Sequence, residues 1–129
     1  MITAFLIGRF ILGLYWLHAA YGHIFKSAGL TGYAQSKGVP SPRAAVIGTG
    51  ILALLGSLSI ILGVYTVWGI ALLIIFLLGV SFKIHAFWME QDPMAKMNDR
   101  ISFWKNIALA AALLMILTIP ASMWGWTAW

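Results

Sequence analysis

Few residues in this chain can do chemistry. Three histidines (His18, His23 and His85), eight Lys/Arg and three acids (Glu90, Asp92 and Asp99) stand among 129 residues that include no cysteine. Without a thiolate there is no disulfide exchange, no Cys-X-X-Cys couple and no sulfur nucleophile, so a redox role needs another carrier. Imidazole titrates near neutral pH and offers one donor and one acceptor when neutral. His23 and His85 therefore suit a quinone carbonyl, a proton relay or a metal. Two histidines without other strong ligands make a poor haem or copper site, although Met89, Met94 and Met97 near His85 would add soft sulfur. No metal site is expected, haem and copper are disfavoured, quinone is the cofactor the pair suits best, and structural hydrogen bonding is the competing reading. Dinucleotide, phosphate-loop and zinc-protease motifs are absent, as is a Ser/His/Asp arrangement, so the chain is read as non-catalytic on its own.

Arg9 poses a separate question. A charge at the centre of a span costs about 2.5 to 3.5 kcal/mol on insertion scales, so it needs a partner or a route to water. The three acids belong to the opposite membrane side. Snorkelling to head groups is the first expectation. The other candidates are a lipid phosphate, a bound ligand, Ser122, the Trp129 carboxylate, and free carbonyls at the ends of the second and fourth helices.

These side chains need elements to hold them, and composition names the solvent. Hydrophobic residues make up 62% and charged residues 9%, where a soluble domain carries about 25% charged. Four apolar runs, at about 3–25, 44–63, 68–89 and 104–123, each reach the roughly 20 residues that cross a hydrocarbon core. The expectation is an all-α, four-transmembrane-helix bundle, with residues 1–129 forming a single integral membrane domain. The first run lacks a basic leader, is long for a signal core and carries Arg9, His18 and His23, so it is read as a retained helix. The net charge of +5 collects in and beside two loops, 26–43 and 90–103, which fits membrane-flanking cations and not nucleic acid.

Helical periodicity sorts the polar residues. Arg9, Gly13, Trp16, Ala20 and His23 share one face of the first helix. The first and third helices run parallel, so His23 and His85 reach the same membrane face and are expected to meet. Ser81, His85, Trp88 and Met89 share a face of the third helix, from which Lys83 points away to the interface. Lys26 and Tyr33, in the adjoining loop, complete a candidate ligand or quinone site of His23, Lys26, Tyr33, His85 and Trp88. Small-residue stripes are read as helix-packing surfaces: Ala45, Thr49, Ala53, Gly56 and Gly63 on the second helix, and Ala108, Ala111 and Ala112 on the fourth. Tyr65, Trp68, Trp124, Trp126 and Trp129 form one interfacial belt, and Trp88, Phe103 and Trp104 the other.

In order and spacing these features resemble the DoxX family of small four-helix membrane proteins. The resemblance rests on Gly8-Arg9 with Gly13, Gly22-His23, Ala28-Gly29, Tyr33, Gly38-Val39-Pro40, Gly56, Gly63-Val64-Tyr65-Thr66, His85-Ala86-Phe87-Trp88 and Lys105-Asn106. It implies a helical bundle in a bacterial or archaeal cell (inner) membrane, and some relatives form the membrane part of a thiosulfate:quinone oxidoreductase. This chain departs from the family at His23, Ala53 and Val67, where Lys, Glu and Arg are frequent. The expected role is an accessory or structural subunit of a redox or energy-conserving complex, in contact with lipid, quinone and other membrane subunits. The alternative is a quinone-linked oxidoreductase component with its polar site at the His23/His85 face. The positive-inside rule puts both loops in the cytoplasm, whereas the resemblance favours the reverse, so orientation stays open.

Overall fold

The computed structural model describes residues 1–124. It is all-α, with α1 Ile2–Phe25, α2 Ser27–Ser36, α3 Pro42–Leu62, α4 Thr66–Lys83 and α5 Pro93–Ile116, and short 3-10 turns at Phe87–Met89 and Ala121–Met123. Three segments are long and apolar enough to cross a membrane: Ile2–Phe25, Pro42–Leu62 and Thr66–Met89. The fourth long helix, α5, is charged in its first turns and apolar from Ile107 onward. The backbones pack in the order α1, α3, α4, α5, and α2 lies against α3. Among the described residues, no extended packing joins α1 to α5.

Local chemistry explains the boundaries. Pro42 and Pro93 occupy first-turn positions, where the missing N–H costs nothing. The Asp92 carboxylate caps α5 by accepting the Ala95 N–H at 2.8 Å. At the other end of α3, Gly63 takes the left-handed conformation at φ 72°, the usual glycine stop.

Several sequence expectations change here. Part of the stretch 26–43 is helical, as α2. The fourth helix starts at Pro93, eleven residues before the apolar run at 104, because Asp92-Pro93 forms a cap that hydropathy does not register. The third helix ends at Lys83, so His85 and Trp88 lie beyond it and share no helical face with Ser81.

The core joins Trp16 and Ala20 of α1, Ala53 and Ile60 of α3, Ile70, Leu73, Phe76 and Leu77 of α4, and Ala110 and Leu113 of α5. Small residues let the backbones approach, as expected in lipid. A Cβ on Gly50 would lie 2.7 Å from the His23 Cβ, and one on Gly56 would strike Leu73. Of the stripe proposed for the second helix, Ala53, Gly56 and Gly63 are buried, while Ala45 and Thr49 are half-buried. Ala108, Ala111 and Ala112 face outward instead, since α5 buries Asp99, Phe103, Asn106, Ala110 and Leu113. Trp124 is 3% exposed and is therefore a core residue, not a belt anchor. Trp126 and Trp129 lie outside the described residues.

Candidate functional site

At the end of the bundle where α1 and α4 finish, a cavity of about 430 Å3 opens between α1, α2, α3 and α4. Leu30, Val39, Val46, Phe76, Val80 and Ile84 make its walls apolar, and His23, Tyr33, Thr49, Lys83 and His85 supply polar groups. His23 and His85 thus line one cavity, though they form no hydrogen bond with each other. Of the other expected site residues, Tyr33 lines the cavity, whereas Lys26 and Trp88 do not. Lys26 is exposed and sits over the Tyr21 ring. Trp88 packs edge-on against Phe103 in an aromatic cluster with Phe82 and Phe87. Lys83, expected to point away, lines the cavity because the chain leaves the helix directly after it.

Hydrogen bonding orients both imidazoles. His23 Nδ1 lies 3.2 Å from the Val46 carbonyl oxygen and 3.1 Å from Thr49 Oγ1. A carbonyl only accepts, so Nδ1 carries the proton and donates. His85 Nδ1 likewise donates to Asp99 Oδ1 at 3.1 Å. In the neutral rings, Nε2 is then a free acceptor on each histidine, with no partner among the described residues. Such a pair receives O–H or N–H donors from a ligand.

Asp99 is the residue that hydropathy hides. It is 3% exposed and accepts from His85, from Lys37 Nζ at 2.6 Å and from the Tyr33 hydroxyl at 3.4 Å. Lys37 also pairs with Glu90 at 3.1 Å. The network ties α2, the chain after α4 and the start of α5 together behind the cavity. Burial alone would raise the Asp99 carboxyl, but hydrogen bonds from Lys37 and His85 outweigh it and hold the group below the usual aspartate value. The hydrogen bond to Asp99, opposed in part by desolvation, lifts Lys37 above the ordinary lysine value. The spacing Asp99, Phe103, Asn106, Ala110, Leu113 is a helical stripe, and that was the available signal.

Arg9 stands at the opposite end and does not snorkel. It is 7% exposed and donates from Nε to Ile60 O at 2.8 Å, from Nη1 to Trp124 O at 2.7 Å and from Nη2 to Ile61 O at 2.7 Å. Two of its partners, Ile60 O and Ile61 O, are orphan carbonyls of the α3 terminus, where a cation also meets the negative end of the helix dipole. The ring of Trp124 lies 5.4 Å from the guanidinium carbon. Of the other partners expected at this end, Ser122 makes no hydrogen bond to Arg9 and the Trp129 carboxylate lies outside the described residues.

Apolar helices of membrane-spanning length, with a two-histidine cavity backed by a charge network, define a small helical integral membrane protein. The chain belongs to the DoxX family, whose model matches residues 4–86. It is 29% identical over 120 residues to the inner membrane protein YphA of Escherichia coli (strain K12), covering 92% of this chain and 84% of that relative. No solved structure matches it. The family match takes in His23, Tyr33, Lys37 and His85 but stops before Glu90 and Asp99.

Proposed function

We propose that this protein is an accessory subunit of a redox complex in the cell's inner membrane and receives a quinol in the His23/His85 cavity. The observation that carries the reading is the pair of free Nε2 acceptors on one apolar-walled cavity, each fixed by a bond at Nδ1. A quinol presents two O–H donors on a flat apolar ring, and the walls supply the apolar surroundings such a ring prefers. The inner-membrane location of YphA supports the same membrane for this chain. Electrons would leave through a partner, because the cysteine-free chain offers no evident carrier of its own.

Short-chain decylubiquinol titrated into the detergent-solubilised protein tests the binding. His23→Ala and His85→Ala should each weaken it about tenfold, the worth of one hydrogen bond with its apolar surroundings. Unchanged affinity in both variants would sink the quinol reading. Mild-detergent extraction from the native membrane tests the subunit role, which is lost if the chain migrates alone.

The His85–Asp99 pair favours a second reading, a quinone-linked oxidoreductase component. In it, His85 Nε2 takes one O–H proton from the quinol and His23 Nε2 the other, while two electrons pass to an acceptor on another subunit and the quinone leaves. Asp99→Asn would then lower turnover in the assembled complex with little effect on quinol affinity, and equal turnover would remove this reading.

A further inference from the structure

The bundle is open along one side. Between α1 and α5 runs a groove of about 610 Å3 walled by Phe5, Ile11, Leu12, Tyr15, Leu109 and Ile116, with Ile60 of α3 at its floor. From Phe5 to Tyr15 it follows α1 for about 15 Å along the helix axis. Arg9 and Lys105, one on each facing helix, also line it, and no acidic side chain does.

Charge is the unresolved quantity in this groove. Among the described residues Arg9 is a buried cation met only by carbonyl dipoles, since the acidic side chains Glu90, Asp92 and Asp99 lie toward the other end of the bundle. Three of its five N–H groups are used by the described residues, and the other two have no partner among them. A phosphate diester is the acceptor a bilayer supplies, and guanidinium matches its geometry. The open apolar walls between α1 and α5 suit the attached hydrocarbon.

We propose that the groove between α1 and α5 holds one anionic phospholipid, its phosphate on the spare Arg9 N–H groups and an acyl chain along the apolar walls. Lys105 adds the second positive charge that selects a net anion over a zwitterion. The lipid closes the bundle where the two helices do not meet, and it is independent of the histidine cavity.

The test places the full-length chain in nanodiscs of phosphatidylcholine doped with phosphatidylglycerol, and counts lipids retained after release by native mass spectrometry. One phosphatidylglycerol per chain is expected, in preference to phosphatidylcholine. Lys105→Gln should weaken retention of phosphatidylglycerol about fivefold, the effect of one cation near a lipid surface. Gly8 lines the groove and a Cβ there meets nothing within 4 Å. Gly8→Leu should therefore fill the groove and abolish retention without disturbing the fold, as checked by an unchanged unfolding midpoint in lipid-free detergent. Equal retention of the two lipids by the wild type, or undiminished retention by Gly8→Leu, overturns the proposal. So does a second copy of the chain found seated in the groove in place of lipid.

Discussion

At the scale of single residues, Arg9 and Gly63 form one device. A Cβ on Gly63 would stand 2.7 Å from Arg9 Nη2 and 2.7 Å from the Trp124 carbonyl oxygen, and the backbone there has φ 72°. Glycine is needed twice over, for the left-handed turn and for the space into which the guanidinium reaches. Arg9→Ala removes three charge-assisted hydrogen bonds and orphans buried carbonyls, and should destabilise the protein by about 3 kcal/mol or more. Arg9→Lys should recover less than half of that, because an ammonium lacks the planar fork that reaches three carbonyls at once. Gly63→Ala should cost about 2 kcal/mol or more through backbone strain and displacement of Arg9. Gly48→Ala is the control: its Cβ has open space, so helix propensity alone predicts a slight gain. Unfolding midpoints in detergent micelles check all four. If Gly63→Ala behaves like Gly48→Ala, the capping role assigned to Arg9 is wrong.

At the scale of elements, the four long helices were legible as apolar runs, because lipid imposes a length and a composition that few residues can violate. Their polar ends were less legible. α5 begins at Pro93 since Asp92 caps it, and Asp92→Ala should cost about 1 kcal/mol and raise amide exchange in the first turn. An unaltered exchange rate there would mean that packing, not the cap, holds the start of α5. The cap residues stood in the sequence, but hydropathy weighed Asp99 as a loop charge and so missed that it faces inward. The end of α4 carried only a weak mark, the basic Lys83 in its last turn. His85 leaves the helix to reach Asp99 on another element, a contact between elements that hydropathy and helical periodicity do not register. For the same reason the cavity was half legible. His23, Tyr33 and His85 arrive together, while Lys26 and Trp88, placed by proximity in sequence, turn elsewhere.

At the scale of the whole molecule, the charges divide into two unlike ends joined by an apolar middle. One end holds Arg9, bonded to backbone carbonyls, and the other holds the Lys37, Glu90, Asp99 and His85 network that bridges α2 to α5. The second end titrates, and its direction follows from the shifts. Asp99 lies below its ordinary value of 3.8 in the folded state. As pH falls past that value the unfolded chain takes up a proton first, so the network's stabilisation is present above it and is lost as pH drops through the folded value. Glu90, also lowered by its hydrogen bond from Lys37, adds in the same direction from a half-buried position. Lys37 lies above its ordinary value of 10.5. Its contribution is complete below that value and is lost as pH rises through the folded one. Burial, with the Asp99 charge, raises Tyr33 as well, which adds to the alkaline loss. The protein should therefore show a broad stability plateau bounded by an acid limb and an alkaline limb. Lys37→Met should lower the plateau and flatten both limbs, because it removes the cation on which the acid limb depends and the titration that makes the alkaline one. Asp99→Asn should remove most of the acid limb, at a cost of about 1 to 3 kcal/mol near neutral pH. Unfolding midpoints measured across the pH range in detergent decide the matter: an acid limb that survives Asp99→Asn intact would show that the network does not join the two halves of this end.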